Sequence, residues 1–163
     1  MTKDHNMSIT EAEITAAGKI WGDALVAVSK AYEADGIDGA RAVAEGALDA
    51  AYGYNLGPVL FKPTLAGGEQ TFRTTRKGAL SYFVGHDAEY PKDGGFGIKN
   101  WRTVVFDTAA TFVEGDVAMW MGWVTFTDKD GNVTKVDKTF GYKKDEAGTL
   151  RIVLHHSSLP FQG

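Results

Sequence analysis

The chain has 163 residues, 44% hydrophobic and 23% charged, the size and composition of one domain with one substantial core. Nine Phe, six Tyr and four Trp exclude a disordered chain, and the lack of cysteine excludes disulfides, thiolate nucleophiles and cysteine-zinc sites. A net charge of −4 from 17 basic and 21 acidic residues, with no dense Lys/Arg face, argues against nucleic acid as a partner.

Residues 1–8 are polar and read as a frayed start, with the domain proper over residues 9–163. The start has no apolar signal-peptide core and no run reaches membrane-spanning length, so a cytoplasmic protein without a membrane partner is expected. Ser8 with Glu11, and Thr10 with Glu13, each stand at capping-box spacing. Ile14, Ala17, Trp21, Ala24, Leu25, Val28, Ala31 and Tyr32 then form one apolar stripe, which predicts a helix over residues 11–34 ended by Asp35-Gly36. Asp38 opens a second, alanine-rich helix that Gly53 is placed to close.

Val59–Phe61 before Pro63 reads as a short or edge strand. Residues 76–84 predict a third helix with Leu80, Phe83 and Val84 inward, and Arg73, Arg76 and Lys77 before it read as a solvated helix end. Gly85–Gly97 holds Pro91 and several glycines and reads as a long loop, a mobile flap over a cavity mouth. From residue 101 onward the chain is rich in Val, Thr and Phe. It divides into four strands at the turns Glu114-Gly115-Asp116, Asp128–Asn132 and Asp145–Gly148, the last strand being Leu150–Leu159. Helices first and a meander of long strands after is an α+β arrangement, with the helices in the hollow of a curved antiparallel sheet. Both alternating sets of residues 117–127 are apolar, so both faces of that strand should be covered, one by the helices and the other by a second subunit.

The C-terminal half resembles the association domain of calcium/calmodulin-dependent protein kinase II, a member of the nuclear transport factor 2-like superfamily. The resemblance is carried by Phe112-Val113-Glu114-Gly115-Asp116-Val117-Ala118, the Asp130-Gly131 hairpin, Lys143-Lys144-Asp145, and above all His155-His156-Ser157-Ser158-Leu159-Pro160. It implies a cone with a cavity between helices and sheet, and a homodimer or a larger ring. Members include dehydratases, isomerases and cyclases as well as binding and assembly domains, so the fold leaves function open. Where the kinase domain points arginines inward, Val124 and Thr139 appear at the corresponding positions, which implies a more apolar pocket.

Adjacent His155 and His156 on one strand must face opposite ways, and the resemblance favours His155 inside the cavity. Asp107 lies mid-strand among apolar residues; the resemblance implies an acid/base pair with His155, the alternatives being that it only pairs with Lys138 or Arg102, or marks a bulge. Tyr54, Tyr82, Phe83, Phe96, Trp101, Trp120 and Trp123 are candidate cavity walls, with Lys138 as a ligand contact. His86, Asp87 and Glu89 lack metal-ligand spacing, and no metal or other cofactor is expected. Three functions follow: a domain binding a small, mainly apolar organic molecule; a lyase or isomerase using Asp107 and His155; or a pure assembly domain.

Overall fold

A computed structural model describes residues 8–163, and the expected frayed start at residues 1–7 lies outside the described residues. Helix α1 spans Glu11–Ala51 and begins at a capping box in which Thr10 accepts from the Glu13 N–H at 3.1 Å while its own N–H donates to the Glu13 carboxylate at 3.0 Å. The helix breaks at Gly36, whose φ of 73° and ψ of −160° suit glycine alone. Two arms result, residues 11–35 and 37–51, in agreement with the two helices expected. The second arm ends at Tyr52 in an extended conformation rather than at Gly53. The Gly53 N–H instead donates to the Ile152 carbonyl, tying the helix end to the sheet.

Helix α2 spans Arg76–Val84, capped by Thr75. The strands are β1 (Leu60–Lys62), β2 (Trp101–Glu114), β3 (Val117–Asp128), β4 (Val133–Lys144) and β5 (Leu150–Ser158). They form one curved sheet in the order β1-β5-β4-β3-β2. All neighbours are antiparallel except β1 and β5, which run parallel, so the short apolar run before Pro63 is an edge strand with a direction the sequence did not reveal. At the β3–β4 hairpin the Asp128 carboxylate accepts from the N–H groups of Asp130 and Asn132.

One face of the sheet is covered by α1 and α2 and carries the core: Trp120, Val124 and Phe126 from β3, Val136, Phe140 and Tyr142 from β4, and Ile152 from β5. Gly18 and Gly22 let the first arm of α1 lie close on β2, since a Cβ on Gly22 would stand 2.9 Å from the Val104 Cβ. A bulge in β5 pairs Gly141 with Leu154 but Tyr142 with Ile152, leaving Val153 as the extra residue. Ile152 and His155 therefore both face the core, although strict alternation would separate them.

The opposite, convex face exposes Val105, Met119, Met121 and Trp123. No second subunit covers it in this single chain. The loop after α2 is pinned to the domain instead of hanging free. Asp93 accepts two hydrogen bonds from the Arg73 guanidinium, at 2.7 and 2.8 Å, and a third from Ser81 at 2.7 Å. Arg73 is buried in this ion pair and is not part of a solvated helix end, whereas Arg76 and Lys77 do pair near the surface with Asp49 and Glu89. Among the described residues no helix is long and apolar enough to cross a membrane.

Candidate active site

The polar groups inside the cone come from β5, β4, the end of α1 and the turn after β1. β5 supplies His155 and Ser157, two residues apart and therefore on the same face. β4 supplies Lys138, which stands directly opposite Ser157, as Phe140 stands opposite His155. The end of α1 supplies Tyr52, and the turn after β1 and Pro63 supplies Thr64. His155, Ser157 and Lys138 are all buried, at 1%, 0% and 4% exposure.

His155 is fixed at both nitrogens. Its Nδ1 lies 2.8 Å from the Tyr52 hydroxyl and its Nε2 lies 2.8 Å from Lys138 Nζ. Tyr52 in turn accepts a hydrogen bond from Trp21 Nε1 at 2.9 Å. The imidazole is sandwiched between the rings of Phe61 and Phe140, with centroids 4.5 and 4.4 Å away, and the edge of Trp21 closes the side. Burial, reinforced by the neighbouring Lys138, pushes His155 well below the usual imidazole range, so the ring is neutral at physiological pH. Burial also holds the Lys138 amine down, at about 7, with Lys62 adding to the effect.

Beside this group three hydroxyls converge. Thr64 Oγ1 and Ser157 Oγ are 2.5 Å apart, and the Thr64 side chain also lies close enough to the Tyr82 hydroxyl to act on its titration. Tyr82 accepts from the Leu65 N–H at 3.3 Å. Burial raises its phenol to about 12, so it stays protonated and able to donate. Lys62 steadies the strand by donating to the Ser157 carbonyl at 2.8 Å. The cluster therefore brings several hydroxyls, a histidine and a lysine together, buried beside the rings of Phe61, Phe83 and Phe140. Among the described residues no group of three or more His, Cys, Asp or Glu side chains could hold a metal ion.

Of the residues singled out from the sequence, His155, Lys138, Tyr82 and Phe83 meet in or against this cluster. Asp107 does not. It lies exposed on the convex face opposite Trp123, so the sheet itself separates it from His155 and the expected acid/base pair does not form. Trp123 shares that face, where Lys135 Nζ stacks 4.4 Å from its ring centre, and it walls no cavity. The reason is strand alternation: Val104 and Phe106 face the helices, which leaves Asp107 outside.

Phe96, Trp101 and Trp120 are core residues flanking the site. Trp101 Nε1 donates to the Phe96 carbonyl at 2.6 Å and Trp120 Nε1 to Thr108 at 2.8 Å. Tyr54 lies outside the cluster, donating to the Arg73 carbonyl at 2.9 Å. Arg102 pairs with Glu33 near the surface. Thr139 faces outward and its neighbour Lys138 faces inward, so a lysine amine lies inside the cone despite the absence of the family's arginines.

Tyr52, Thr64 and Ser157 were missed. Ser157 was detectable from its parity with His155, whereas Tyr52 and Thr64 enter only through the tertiary fold.

A family model described as metal-independent carbonic anhydrase matches residues 12–159. A protein of Nostoc sp. (strain PCC 7120 / SAG 25.82 / UTEX 2576) described as a metal-independent carbonic anhydrase is 55% identical over 157 residues, which is 96% of this chain and 77% of that one. The crystal structure of the iota-carbonic anhydrase from a cyanobacterium, complexed with bicarbonate, superposes with a TM-score of 0.95 at 55% identity and 96% coverage of each chain. A putative calcium/calmodulin-dependent protein kinase II association domain from Xanthomonas campestris has a TM-score of 0.60 at 22% identity, over 95% of this chain and 91% of its own, and shares the fold. A protein of the nuclear transport factor 2-like group from Pseudomonas putida KT2440 likewise matches in fold, with a TM-score of 0.57 at 15% identity over 93% and 87%. The first three matches overturn the expectation of a binding or assembly domain without settled chemistry, because the family they name is one of enzymes.

Proposed function

The chain belongs to the metal-independent carbonic anhydrase family, and on that premise we propose that it interconverts carbon dioxide and bicarbonate, using the buried cluster of Thr64, Tyr82, Ser157, Lys138 and His155. In hydration, a water oxygen attacks the carbon of carbon dioxide. One carbon–oxygen π pair moves onto oxygen, the water gives up a proton, and bicarbonate results. The demands on the protein are donors aimed at the developing oxyanion and an acceptor for the proton.

The observation that carries this reading is the convergence of the Thr64, Ser157 and Tyr82 side chains in a buried site among aromatic rings. Hydroxyl donors held in place in a low-dielectric site stabilise negative charge more than water does, because they need no reorganisation as it develops. The relative solved with bicarbonate bound supports the same ligand here. We also propose that a second copy covers the convex face, as its row of exposed Val105, Met119, Met121 and Trp123 supports.

The test is loss of oxygen-18 from labelled carbon dioxide, followed by mass spectrometry. The protein should accelerate the exchange, and Ser157→Ala should slow it by about a hundredfold or more, the usual cost of one oxyanion donor. A protein that leaves the exchange at the buffer rate would overturn the proposal. An unimpaired Ser157→Ala variant would remove the hydroxyl cluster from it.

A further inference from the structure

Leaving no buried donor without an acceptor selects one direction for each hydrogen bond in the chain from Trp21 to Lys138. Trp21 Nε1 can only donate, so the Tyr52 oxygen accepts there. The Tyr52 phenol is protonated, burial having pushed it well above its usual range. Its other hydrogen-bond partner is His155 Nδ1, and if the Tyr52 oxygen accepted there too, the buried O–H would be left without an acceptor, so Tyr52 donates to Nδ1. A neutral imidazole accepting at Nδ1 carries its hydrogen on Nε2. That hydrogen points at Lys138 Nζ, 2.8 Å away, and an ammonium has no lone pair to receive it. In this arrangement Lys138 is a neutral amine.

The surroundings agree. Lys138 is in none of the ion pairs formed by the described residues. The groups facing it are Trp21 from α1, His155 and Ser157 from β5, and the rings of Phe126 and Phe140. Two further charges act on it from a distance, Lys62 disfavouring its protonation and Asp137 favouring it. None of these neighbours is a carboxylate in contact with its Nζ, so no counter-charge beside it holds a proton on the amine.

We propose that Lys138 is the base that takes the proton from the attacking water, an inference that rests on the carbonic anhydrase reading of the site. Its Cα pairs across the sheet with that of Ser157, whose hydroxyl belongs to the cluster, and both side chains are buried. As the new carbon–oxygen bond forms, the water O–H bond breaks and its proton goes to the Nζ lone pair. The amine becomes an ammonium and releases the hydrogen bond from His155 Nε2. The ammonium then turns to the bicarbonate beside it, with the Trp21 ring 5.1 Å away as a π face for the charge. Release of bicarbonate and loss of the proton to solvent restore the amine. In dehydration the same ammonium returns its proton to bicarbonate.

Two measurements test this. The first compares pH profiles of kcat/KM for carbon dioxide hydration. The wild type should rise with pH to a plateau through an inflection near neutrality. Lys138→Met should lose about a hundredfold or more, and with it the inflection. Lys138→Arg keeps a cation but no usable lone pair, and it should be as poor as Lys138→Met. An active Lys138→Arg variant would show that only positive charge matters and would overturn the proposal. The second reads the His155 tautomer by nitrogen-15 magnetic resonance at pH 8, which no purely structural role of Lys138 would set. Hydrogen on Nε2 is expected, and hydrogen on Nδ1 would overturn the neutral amine. A wild type with no hydration activity sinks the carbonic anhydrase reading itself. An active wild type with an active Lys138→Arg variant sinks only the role of Lys138.

Discussion

The neutral lysine has a thermodynamic signature that is independent of catalysis. Burial holds the Lys138 amine at about 7, against 10.5 when it is exposed in the unfolded chain. Between those values the unfolded chain binds a proton that the folded chain does not. Raising the pH across this window therefore favours the fold, by up to about 1.4 kcal/mol per pH unit. Below about 7 both states carry the proton and the dependence on this group ends. In a domain of this size the slope corresponds to roughly 3–6 °C in Tm per pH unit. Lys138→Met removes it. Thermal unfolding followed by circular dichroism from pH 6 to pH 10 should show the wild type gaining on the variant throughout the upper part of the range. The lost hydrogen bond to His155 shifts the variant by a constant amount and leaves the slope difference intact. His155 is also depressed, but its effect falls below the ordinary imidazole pKa of 6.5, outside the window. Parallel profiles between pH 7 and pH 10 would mean that Lys138 titrates as an ordinary lysine, and the argument from its hydrogen bonds would fail.

Asp93→Asn should destabilise the fold by about 3–5 kcal/mol in urea unfolding, because it leaves the buried Arg73 guanidinium without its counter-charge. Asp107→Asn should leave hydration kinetics unchanged, since Asp107 lies on the convex face, and a large loss would put a functional role on that face. Met121→Asp should convert the proposed dimer to a monomer in light scattering, while a wild type that is already monomeric removes the dimer.

The fold was largely legible because its signals are local. Thr10 and Glu13 sit at capping-box spacing, Gly36 interrupts the helical stripe, and Asp128 with Gly131 marks a hairpin, and each does in the structure what its pattern implies. The site was legible only where two-residue parity carried the signal. His155 faces inward as the resemblance implied, but the bulge at Val153 makes Ile152 face inward with it, which alternation alone forbids. Asp107 looked suspect because an apolar run surrounds it. That reading presumed one buried face, whereas β2 also exposes apolar side chains such as Val105 on its convex side. The residues that complete the site were invisible for a different reason. Tyr52 and Thr64 are 103 and 93 residues from their partners His155 and Ser157, and no periodicity links positions that far apart. Lys138 was noticed, but as a ligand contact. Its neutrality follows only from the bond directions of Trp21, Tyr52 and His155 taken together.

The most direct test of the account is stopped-flow carbon dioxide hydration by protein dialysed against a strong chelator, with and without added divalent zinc. The account expects rapid hydration by the dialysed protein, unchanged by the metal and lost in the Ser157→Ala variant. Hydration that disappears on dialysis and returns only with the metal would contradict it.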